Sequence, residues 1–121
     1  MVYVLVASKM IKYPFGSSKI AYIGTTKKGI QRVAQSVAHR ADMILGLHGV
    51  HSFEARIVSC RRRQNVSTWK KLEYALLLKF RKEFGRVPRF NQKGANMRET
   101  DEFDYFNEKR IRKIIDRLGG G

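Results

Sequence analysis

A single carboxylate, Glu73, stands within an apolar segment that has helical periodicity. It precedes Leu76, Leu77 and Phe80 by three, four and seven residues, so its side chain is expected on the helix face that packs into the core. Burial of a lone carboxylate costs free energy unless a cation lies beside it. Glu73 is therefore expected either to bind a metal ion or to form a buried salt bridge, for which the many arginines offer partners.

Two tyrosines, one arginine and one histidine are the other side chains that could take part in chemistry. Tyr3 and Tyr22 fall in two segments that are expected to pair as strands, where a tyrosine usually serves packing. Arg32 and His39 fall on one flank of the first predicted helix, outside its apolar stripe. Each of the two is typical of a solvent-exposed side chain, so none of the four identifies a site when taken singly.

Two apolar segments early in the sequence predict a β-hairpin. Residues 2–7 are apolar and β-branched without a helical period, and residues 20–24 repeat this character after a segment that contains a proline and a glycine. Residues 8–19 are accordingly predicted to form a long loop between the two strands. A third strand is expected from about residue 51 to residue 60.

Helical spacing of apolar residues predicts three helices after the hairpin. They cover residues 30–45, residues 67 or 68 to 84, and about 105–118. The order β-β-α-β-α-α predicts an α/β fold of the α+β type, in which helices flank a small, three-stranded, mostly antiparallel sheet. Residues 1–118 are interpreted as one domain with its core in 1–94, and the glycines at 119–121 are expected to fray.

The chain carries a large excess of positive charge. Of its 121 residues, 25 are Lys or Arg and 10 are Asp or Glu, which gives a formal net charge of +15. The excess is concentrated in residues 61–98, which hold twelve basic and two acidic side chains. Because this charge belongs to the body of the fold and not to a tail, it predicts a polyanionic partner, first of all nucleic acid. The alternative is a surface that is charged for solubility alone.

The composition disfavours several classes of protein. Cys60 is the one cysteine of the sequence, so an internal disulfide is excluded and a reducing compartment is favoured. No segment reaches the roughly 20 apolar residues that span a bilayer, and the apolar start is too short for a signal peptide. We therefore expect a cytoplasmic or nucleoid-associated protein that does not bind membranes.

Five elements in order along the chain resemble the GIY-YIG endonuclease family. They are the tyrosine of the first signature half, the second signature half, the helical arginine ten residues later, a glutamate in a later helix, and a Pro-x-x-Asn segment: Tyr3, Tyr22-Ile23-Gly24, Arg32, Glu73, and Pro88 to Asn91. The resemblance covers residues 1 to about 94 and extends to the order of strands and helices. Together the five elements are more specific than any one of them.

The sequence departs from the family pattern at three points. Met1 and Val2 replace the Gly and Ile of the first signature half, and the loop between the tyrosine strands is longer than usual. Ser36 stands where many members carry a histidine. His39, in the next turn of the helix, is the candidate to replace that histidine.

The resemblance implies an endonuclease that hydrolyses phosphodiester bonds with one divalent metal ion, Mg²⁺ or Mn²⁺. Glu73 would bind the metal ion, and Asn91 would hold the geometry on that side. Arg32 would grip the scissile phosphate and oppose the charge that develops in the transition state.

The tyrosines have different roles in the mechanism that the resemblance implies. Tyr3 would be the general base on the attacking water, provided that nearby cations such as Lys27 and Lys28 favour its phenolate form. Tyr22 would form a hydrogen bond with water or phosphate.

Nucleic acid is the implied substrate, with DNA favoured and RNA left open. Ten basic side chains are expected to hold phosphates and to carry little sequence information: Lys27, Lys28, Arg61, Arg62, Arg63, Lys70, Lys71, Arg86, Arg89 and Lys93. We expect a partner protein or a homodimer to supply specificity.

Two other interpretations stay open. The first is a nucleic-acid-binding module that keeps the fold and has lost catalysis, which the missing Gly-Ile and Ser36 favour and the retained Tyr3, Arg32 and Glu73 oppose. The second is a basic, RNA- or ribosome-associated structural protein, in which Glu73 is only an ion-pair partner. Dependence of cleavage on a divalent metal ion separates these interpretations from the enzyme.

Binding of nucleic acid should be electrostatic and should weaken steeply with salt. The logarithm of the affinity for duplex DNA is expected to fall with the logarithm of salt concentration by roughly 0.9 per contacted phosphate. Joint replacement of Arg61, Arg62 and Arg63 by alanine should flatten that slope. A salt titration measures it, and an unchanged slope would mean that these arginines do not touch the backbone.

Overall fold

Three antiparallel strands form the sheet on which the helices pack. The structure is a computed structural model that describes residues 1–26, 29–58 and 68–120. Its elements are β1 (Val2–Tyr13), β2 (Gly16–Thr25), α1 (Ile30–Leu45), β3 (Phe53–Val58), α2 (Thr68–Phe84), α3 (Glu102–Tyr105) and α4 (Glu108–Leu118). The sheet order is β2-β1-β3. The predicted α+β class and the order β-β-α-β-α-α are confirmed, with the one-turn helix α3 added before the last helix.

The hairpin of β1 and β2 is longer than predicted, and the expected loop at residues 8–19 is wrong. The strands continue to Tyr13 and join through a two-residue turn at Pro14 and Phe15. The turn is held from outside the hairpin, because the amide of Phe15 donates to the carbonyl of Phe84 at 3.1 Å. The ring of Tyr13 also packs on that of Phe84, with centroids 5.8 Å apart. Packing against the end of α2 therefore extends the strands.

Helix α2 lies at the centre of the fold and contacts β1, β2, α3 and α4. Leu72, Leu76, Leu77 and Phe80 are fully buried, as the apolar periodicity predicts. Each such side chain contributes about 1.5–3 kcal/mol when it leaves water. Glu73 is buried among them, which confirms its expected place on the apolar face.

Helix α1 occupies the predicted residues but is only lightly packed. Val33 and Ile44 are buried, whereas Ile30 and Leu45, at the two ends of the predicted apolar stripe, are exposed. The helix contacts β1 and β3. Much of its surface, including the polar flank, is therefore left accessible beside the sheet.

The C-terminal segment is anchored to the rest of the fold. Asn107 caps α4, because its side chain accepts a hydrogen bond from the amide of Lys109 at 2.9 Å. Beyond α4, the carbonyl of Gly119 accepts a hydrogen bond from the amide of Lys19 in β2 at 3.1 Å. The prediction that the chain frays from residue 119 is therefore wrong at Gly119, which is buried against the hairpin.

A hydrophobic core joins the sheet to α2 and α4. It runs from Val2 in β1 to Ile115 in α4, and Leu5 and Ile20 are among its fully buried members. Cys60, which would end the predicted third strand, lies outside the described residues. Among the helices that the structure describes, none combines the length and the apolar composition needed to cross a membrane.

Tyr13 links the hairpin to the segment that follows α2. Its hydroxyl donates to the carbonyl of Ile20 at 2.6 Å and accepts from the amide of Arg89 at 2.9 Å. Burial raises the pKa of Tyr13 to about 12, although the hydrogen bond from Arg89 and the charges of Arg86 and Arg89 lower it in part.

Tyr13 should make folding sensitive to alkaline pH. The unfolded chain loses its tyrosine proton near pH 10, about where free tyrosine does, whereas the folded protein keeps the proton to about 12. The free energy of unfolding should therefore fall as pH rises between these values. Tyr13→Phe should not show this fall. At neutral pH the substitution should lower the free energy of unfolding by about 1–3 kcal/mol, because two backbone groups lose their hydrogen-bond partner. Urea unfolding of both proteins across a pH series tests this, and an identical pH dependence would contradict it.

Candidate functional site

Tyr3 in β1 and Tyr22 in β2 lie side by side on the hairpin. Their ring centroids are 6.0 Å apart, with the ring planes at 36°. Tyr3 pairs across the strands with Gly24, where an added Cβ atom would lie 2.7 Å from the Tyr3 hydroxyl oxygen and 2.6 Å from the Tyr22 ring. The glycine of the Tyr-Ile-Gly segment therefore leaves the space that the two rings occupy.

One flank of α1 meets the hydroxyl groups of the two tyrosines. Ser36 Oγ lies 2.5 Å from the hydroxyl of Tyr3. Arg40 donates to Ser36 Oγ at 2.8 Å and to the hydroxyl of Tyr22 at 2.9 Å. The guanidinium carbon of Arg40 lies 3.9 Å from the centroid of the Tyr22 ring. A continuous chain of polar contacts thus runs from Tyr3 through Ser36 and Arg40 to Tyr22.

A cleft of about 510 Å³ opens between these tyrosines and α1. Four of the six residues predicted for catalysis line it, namely Tyr3, Tyr22, Arg32 and His39. Arg32 and His39 are exposed, and Arg32 donates to Gln35 of its own helix at 3.1 Å. The structure therefore brings residues from β1, β2 and α1 to one concave surface.

Arg40 is the residue of this cleft that the sequence interpretation missed. A signal was available, because Arg32, Ser36 and Arg40 follow one another at intervals of four and so share one side of a helix. The interpretation continued that flank through His39 instead. Ser36, which stands in place of the family's histidine, is the residue that connects Arg40 to Tyr3.

Glu73 adjoins the cleft from α2 and does not line it. Its Oε2 accepts a hydrogen bond from Thr25 at 3.4 Å, and Thr25 is part of the cleft lining. Its Oε1 lies 2.8 Å from the ammonium of Lys93, and its side chain is 4% exposed. The buried salt bridge considered for Glu73 is therefore present, with a lysine where an arginine was expected.

Local charges and burial set the protonation of the groups around Glu73. Burial and the neighbouring Tyr3 raise the pKa of Tyr22, Arg40 lowers it in part, and the charge of Glu73 adds to the increase. Partial burial alone would lower the pKa of Lys93, but the hydrogen bond to Glu73 and its charge outweigh this and raise it. At neutral pH Tyr22 is therefore a neutral phenol and Lys93 is a full cation.

Asn91 fixes β2 at Ile23, the middle residue of the Tyr-Ile-Gly segment. Its Oδ1 accepts from the amide of Ile23 at 2.9 Å, and its Nδ2 donates to the carbonyl of Ile23 at 2.8 Å. The amide of Phe90 adds a hydrogen bond to the carbonyl of Ala21 at 3.0 Å. Because both polar atoms of the Asn91 side chain bond the backbone of Ile23, Asn91 supports strand β2 and does not offer a free polar atom to a ligand.

Acidic residues of the C-terminal segment pair with lysines of α2. Lys71, which was predicted to hold phosphate, pairs with Asp101, and this contact raises the pKa of Lys71. Lys82 pairs with Glu99 at 2.8 Å. Part of the positive charge of residues 61–98 is therefore compensated within the chain.

The other described residues that were predicted to hold phosphates are not part of the cleft lining. Arg86 and Arg89 are close to Tyr13, at the end of the hairpin opposite the cleft. Lys70 is exposed on α2, one turn before Glu73. Five of the predicted phosphate contacts lie outside the described residues: Lys27, Lys28, Arg61, Arg62 and Arg63.

Glu73 is the residue beside the cleft that is considered as a ligand for a metal ion. Within residues 1–26, 29–58 and 68–120, no three His, Cys, Asp or Glu side chains form a group that could hold a metal ion. Mg²⁺ is nevertheless bound in many proteins by one or two carboxylates, with water and substrate phosphate as further ligands. Glu73, a buried carboxylate that already has a cation beside it, has the donor chemistry that such an ion requires.

A larger cleft, of about 1090 Å³, lies between β1, β3 and α4. Phe53, Arg56 and Arg117 are part of its lining, and the six residues predicted for catalysis are not. Its size alone does not make it the candidate site, because four of the six residues predicted for catalysis line the smaller cleft.

No protein-family model, curated protein or solved structure matches this chain. A functional interpretation of the cleft therefore depends on its residues and their geometry.

Gly24→Ala should displace both tyrosine rings and destabilise the protein. The new methyl group would overlap Tyr3 and Tyr22, at an expected cost of about 1–3 kcal/mol for overpacking. Gly16→Ala in the same strand is the matched control, because a Cβ atom there would meet Phe84 at an ordinary 3.5 Å. Urea unfolding and the NMR signals of the tyrosine rings measure the two effects. Equal stability of the two variants would show that the rings move aside freely.

Proposed function

We propose that this protein is a metal-dependent endonuclease of the GIY-YIG type that hydrolyses phosphodiester bonds of nucleic acid, with DNA as the favoured substrate. The observation that supports this is the shared cleft of Tyr3, Tyr22 and Arg32, to whose wall Glu73 is joined through Thr25. A base, a cation for the phosphate and a carboxylate for a metal ion are the groups that this reaction requires.

Arg32 would bind the scissile phosphate. It is exposed at the cleft, and its hydrogen-bond partner is the neutral side chain of Gln35, which a phosphate can replace at little cost. A planar guanidinium donates two parallel hydrogen bonds to phosphate oxygens, which a lysine cannot do. The same charge opposes the negative charge that develops as the attacking oxygen approaches phosphorus.

Tyr3 would accept the proton of the attacking water. Arg40 donates to Ser36 Oγ, so the hydroxyl hydrogen of Ser36 is available for the Tyr3 oxygen 2.5 Å away. That hydrogen bond would hold the Tyr3 oxygen in one position, from which it can act as a base. Ser36 and Arg40 would then be positioning residues for Tyr3.

Tyr22 would donate a hydrogen bond to phosphate or to water. Its raised pKa keeps the phenol protonated, and Arg40 occupies its oxygen as a donor, so its own hydrogen is directed elsewhere. Asn91 keeps the strand in place beside it through the two hydrogen bonds to Ile23. Arg40 and Asn91 therefore hold Tyr22 and its strand in place before any substrate binds.

Mg²⁺ or Mn²⁺ would be held by Glu73, with water and phosphate oxygens as its remaining ligands. When bound, the ion supplies positive charge that stabilises the leaving oxygen. The contribution of this chain is a carboxylate that is almost wholly buried, and so demands a cation.

A nucleic-acid-binding module without catalysis is the second candidate. The ion pair of Glu73 with Lys93 favours it, because the carboxylate is compensated without a metal ion. In that case Arg32 and the tyrosine hydroxyls would hold a phosphate and break no bond. Binding that persists in a chelator, with no cleavage in Mg²⁺, would distinguish this candidate from the enzyme.

In either case the partner would be recognised mainly through its phosphates. Contacts of exposed cations such as Arg32, Lys70 and Arg89 with phosphates would carry no information about base sequence. Specificity would then come from a partner protein or from a second copy of the chain, in the cytoplasm or at the nucleoid.

Glu73→Gln should abolish metal-dependent cleavage, and in a chelator it should not weaken nucleic-acid binding, because it removes a negative charge and keeps the side-chain volume. The variant should stay folded, since Lys93 is 52% exposed and its ammonium can return to water. Arg32→Ala should lower the cleavage rate by about 10²–10³, and Arg32→Lys should restore little of it. Cleavage of duplex, branched and single-stranded DNA and RNA, in Mg²⁺ or in a chelator, measures these effects.

Two matched variants serve as controls. Glu102→Gln alters another buried carboxylate, whose partner is Thr100, and Arg117→Ala removes an exposed arginine of α4. Both should cut at the wild-type rate at temperatures below their melting points. A folded Glu73→Gln protein that cuts at the wild-type rate would remove Glu73 from the site and contradict the proposed function.

A further inference from the structure

The ion pair between Glu73 and Lys93 joins a buried anion to a cation that reaches solvent. The Glu73 side chain is 4% exposed and that of Lys93 is 52% exposed, with 2.8 Å between Oε1 and Nζ. The second carboxylate oxygen accepts a longer hydrogen bond from Thr25, at 3.4 Å. Lys93 is therefore the principal counter-ion that the described residues provide for Glu73.

Glu73 requires a counter-ion, but that counter-ion need not be Lys93. The Lys93 side chain is half exposed and flexible, so its ammonium regains hydration when it leaves, and the pair opens more readily than a fully buried one. The same ammonium lies 4.9 Å from the centroid of the Tyr74 ring, which offers it a second contact. Asn91, two residues earlier, is fixed to Ile23, so Lys93 stays tethered near the carboxylate wherever its ammonium points.

We propose that Lys93 is a tethered competitor of the divalent metal ion at Glu73, and that the metal ion binds only when Lys93 moves away. The inference deepens the proposed endonuclease function and rests on it for the assignment of Glu73 as the metal ligand. An ammonium and a divalent cation repel each other at one carboxylate, so the two occupants exclude each other. A phosphate of bound nucleic acid attracts Lys93 and thereby uncovers Glu73.

The competition weakens metal binding in the free protein. The apparent affinity falls in proportion to the fraction of molecules in which Glu73 is uncovered, so an uncovered fraction of about one tenth gives a tenfold loss. By thermodynamic linkage, nucleic acid that draws Lys93 away strengthens metal binding, and the metal ion strengthens nucleic-acid binding by the same factor. Metal loading is thus coupled to the nucleic-acid complex.

Titration of the free protein with Mn²⁺, followed by the electron paramagnetic resonance signal of unbound Mn²⁺, tests the competition without any cleavage. Lys93→Met should bind Mn²⁺ about tenfold or more tightly than the wild type, because the ammonium is gone and the carboxylate remains. Lys82→Met is the matched control, since it makes the same change at an exposed pair with Glu99. It should bind Mn²⁺ as the wild type does.

The double variant Lys93→Met with Glu73→Gln tests whether Glu73 is the residue that binds the Mn²⁺. It should lose the additional Mn²⁺ affinity that Lys93→Met gains. A folded Lys93→Met protein whose Mn²⁺ affinity equals that of the wild type overturns the proposal. If Lys93→Met does not fold because Glu73 is left uncompensated, excess Mn²⁺ should restore its folding. Failure of that rescue also overturns the proposal.

The outcomes for Lys93 and for catalysis are separable. Tighter Mn²⁺ binding by Lys93→Met, in a protein whose wild type cuts no nucleic acid, supports the competition and contradicts the endonuclease. Metal-dependent cleavage by the wild type, together with unchanged Mn²⁺ binding by Lys93→Met, supports the endonuclease and contradicts the competition.

Discussion

The negative charge of Glu73 cannot stay in the interior without a cation beside it, and the path of the chain after α2 meets this requirement. The helix places Glu73 among leucines, where no solvent compensates it. The chain then turns back along β2, and the hydrogen bonds of Phe90 and Asn91 to that strand bring Lys93 to the carboxylate. One arrangement thereby compensates the buried charge and fixes the strand that carries Tyr22.

The elements of the fold could be predicted where they depend on local periodicity. The apolar spacing of α2 and the β-branched start of β1 are properties of neighbouring residues, and both elements form where expected. The second half of the hairpin could not be predicted, because its strands are completed by Phe84, which is distant in sequence. The order at Gly119 could not be predicted for the same reason, because its hydrogen-bond partner, Lys19 in β2, lies far earlier in the chain.

In the candidate site, too, some residues could be identified from the sequence and others could not. Tyr3, Tyr22 and Arg32 were identified by type and spacing, and the cleft that they share follows from strand pairing and the packing of α1. The spacing of Arg40 from Ser36 places both on one side of α1, but the hydrogen bonds of Arg40 to the hydroxyls of Ser36 and Tyr22 also depend on its rotamer, which the sequence does not show. Lys93 was expected to contact phosphate, since a sequence does not show which of 25 basic residues finds a buried carboxylate.

The hydrogen bond between Lys19 and Gly119 ties the early hairpin to the chain beyond the last helix. A contact of such sequence separation closes a very large loop, and the entropic cost of that loop disfavours the contact early in folding. During synthesis on the ribosome, β2 must therefore wait for α4 and for the segment at Phe90 before its backbone is fully paired. Until then part of the β2 edge is unpaired, and an unpaired strand edge can pair with another chain, which favours aggregation.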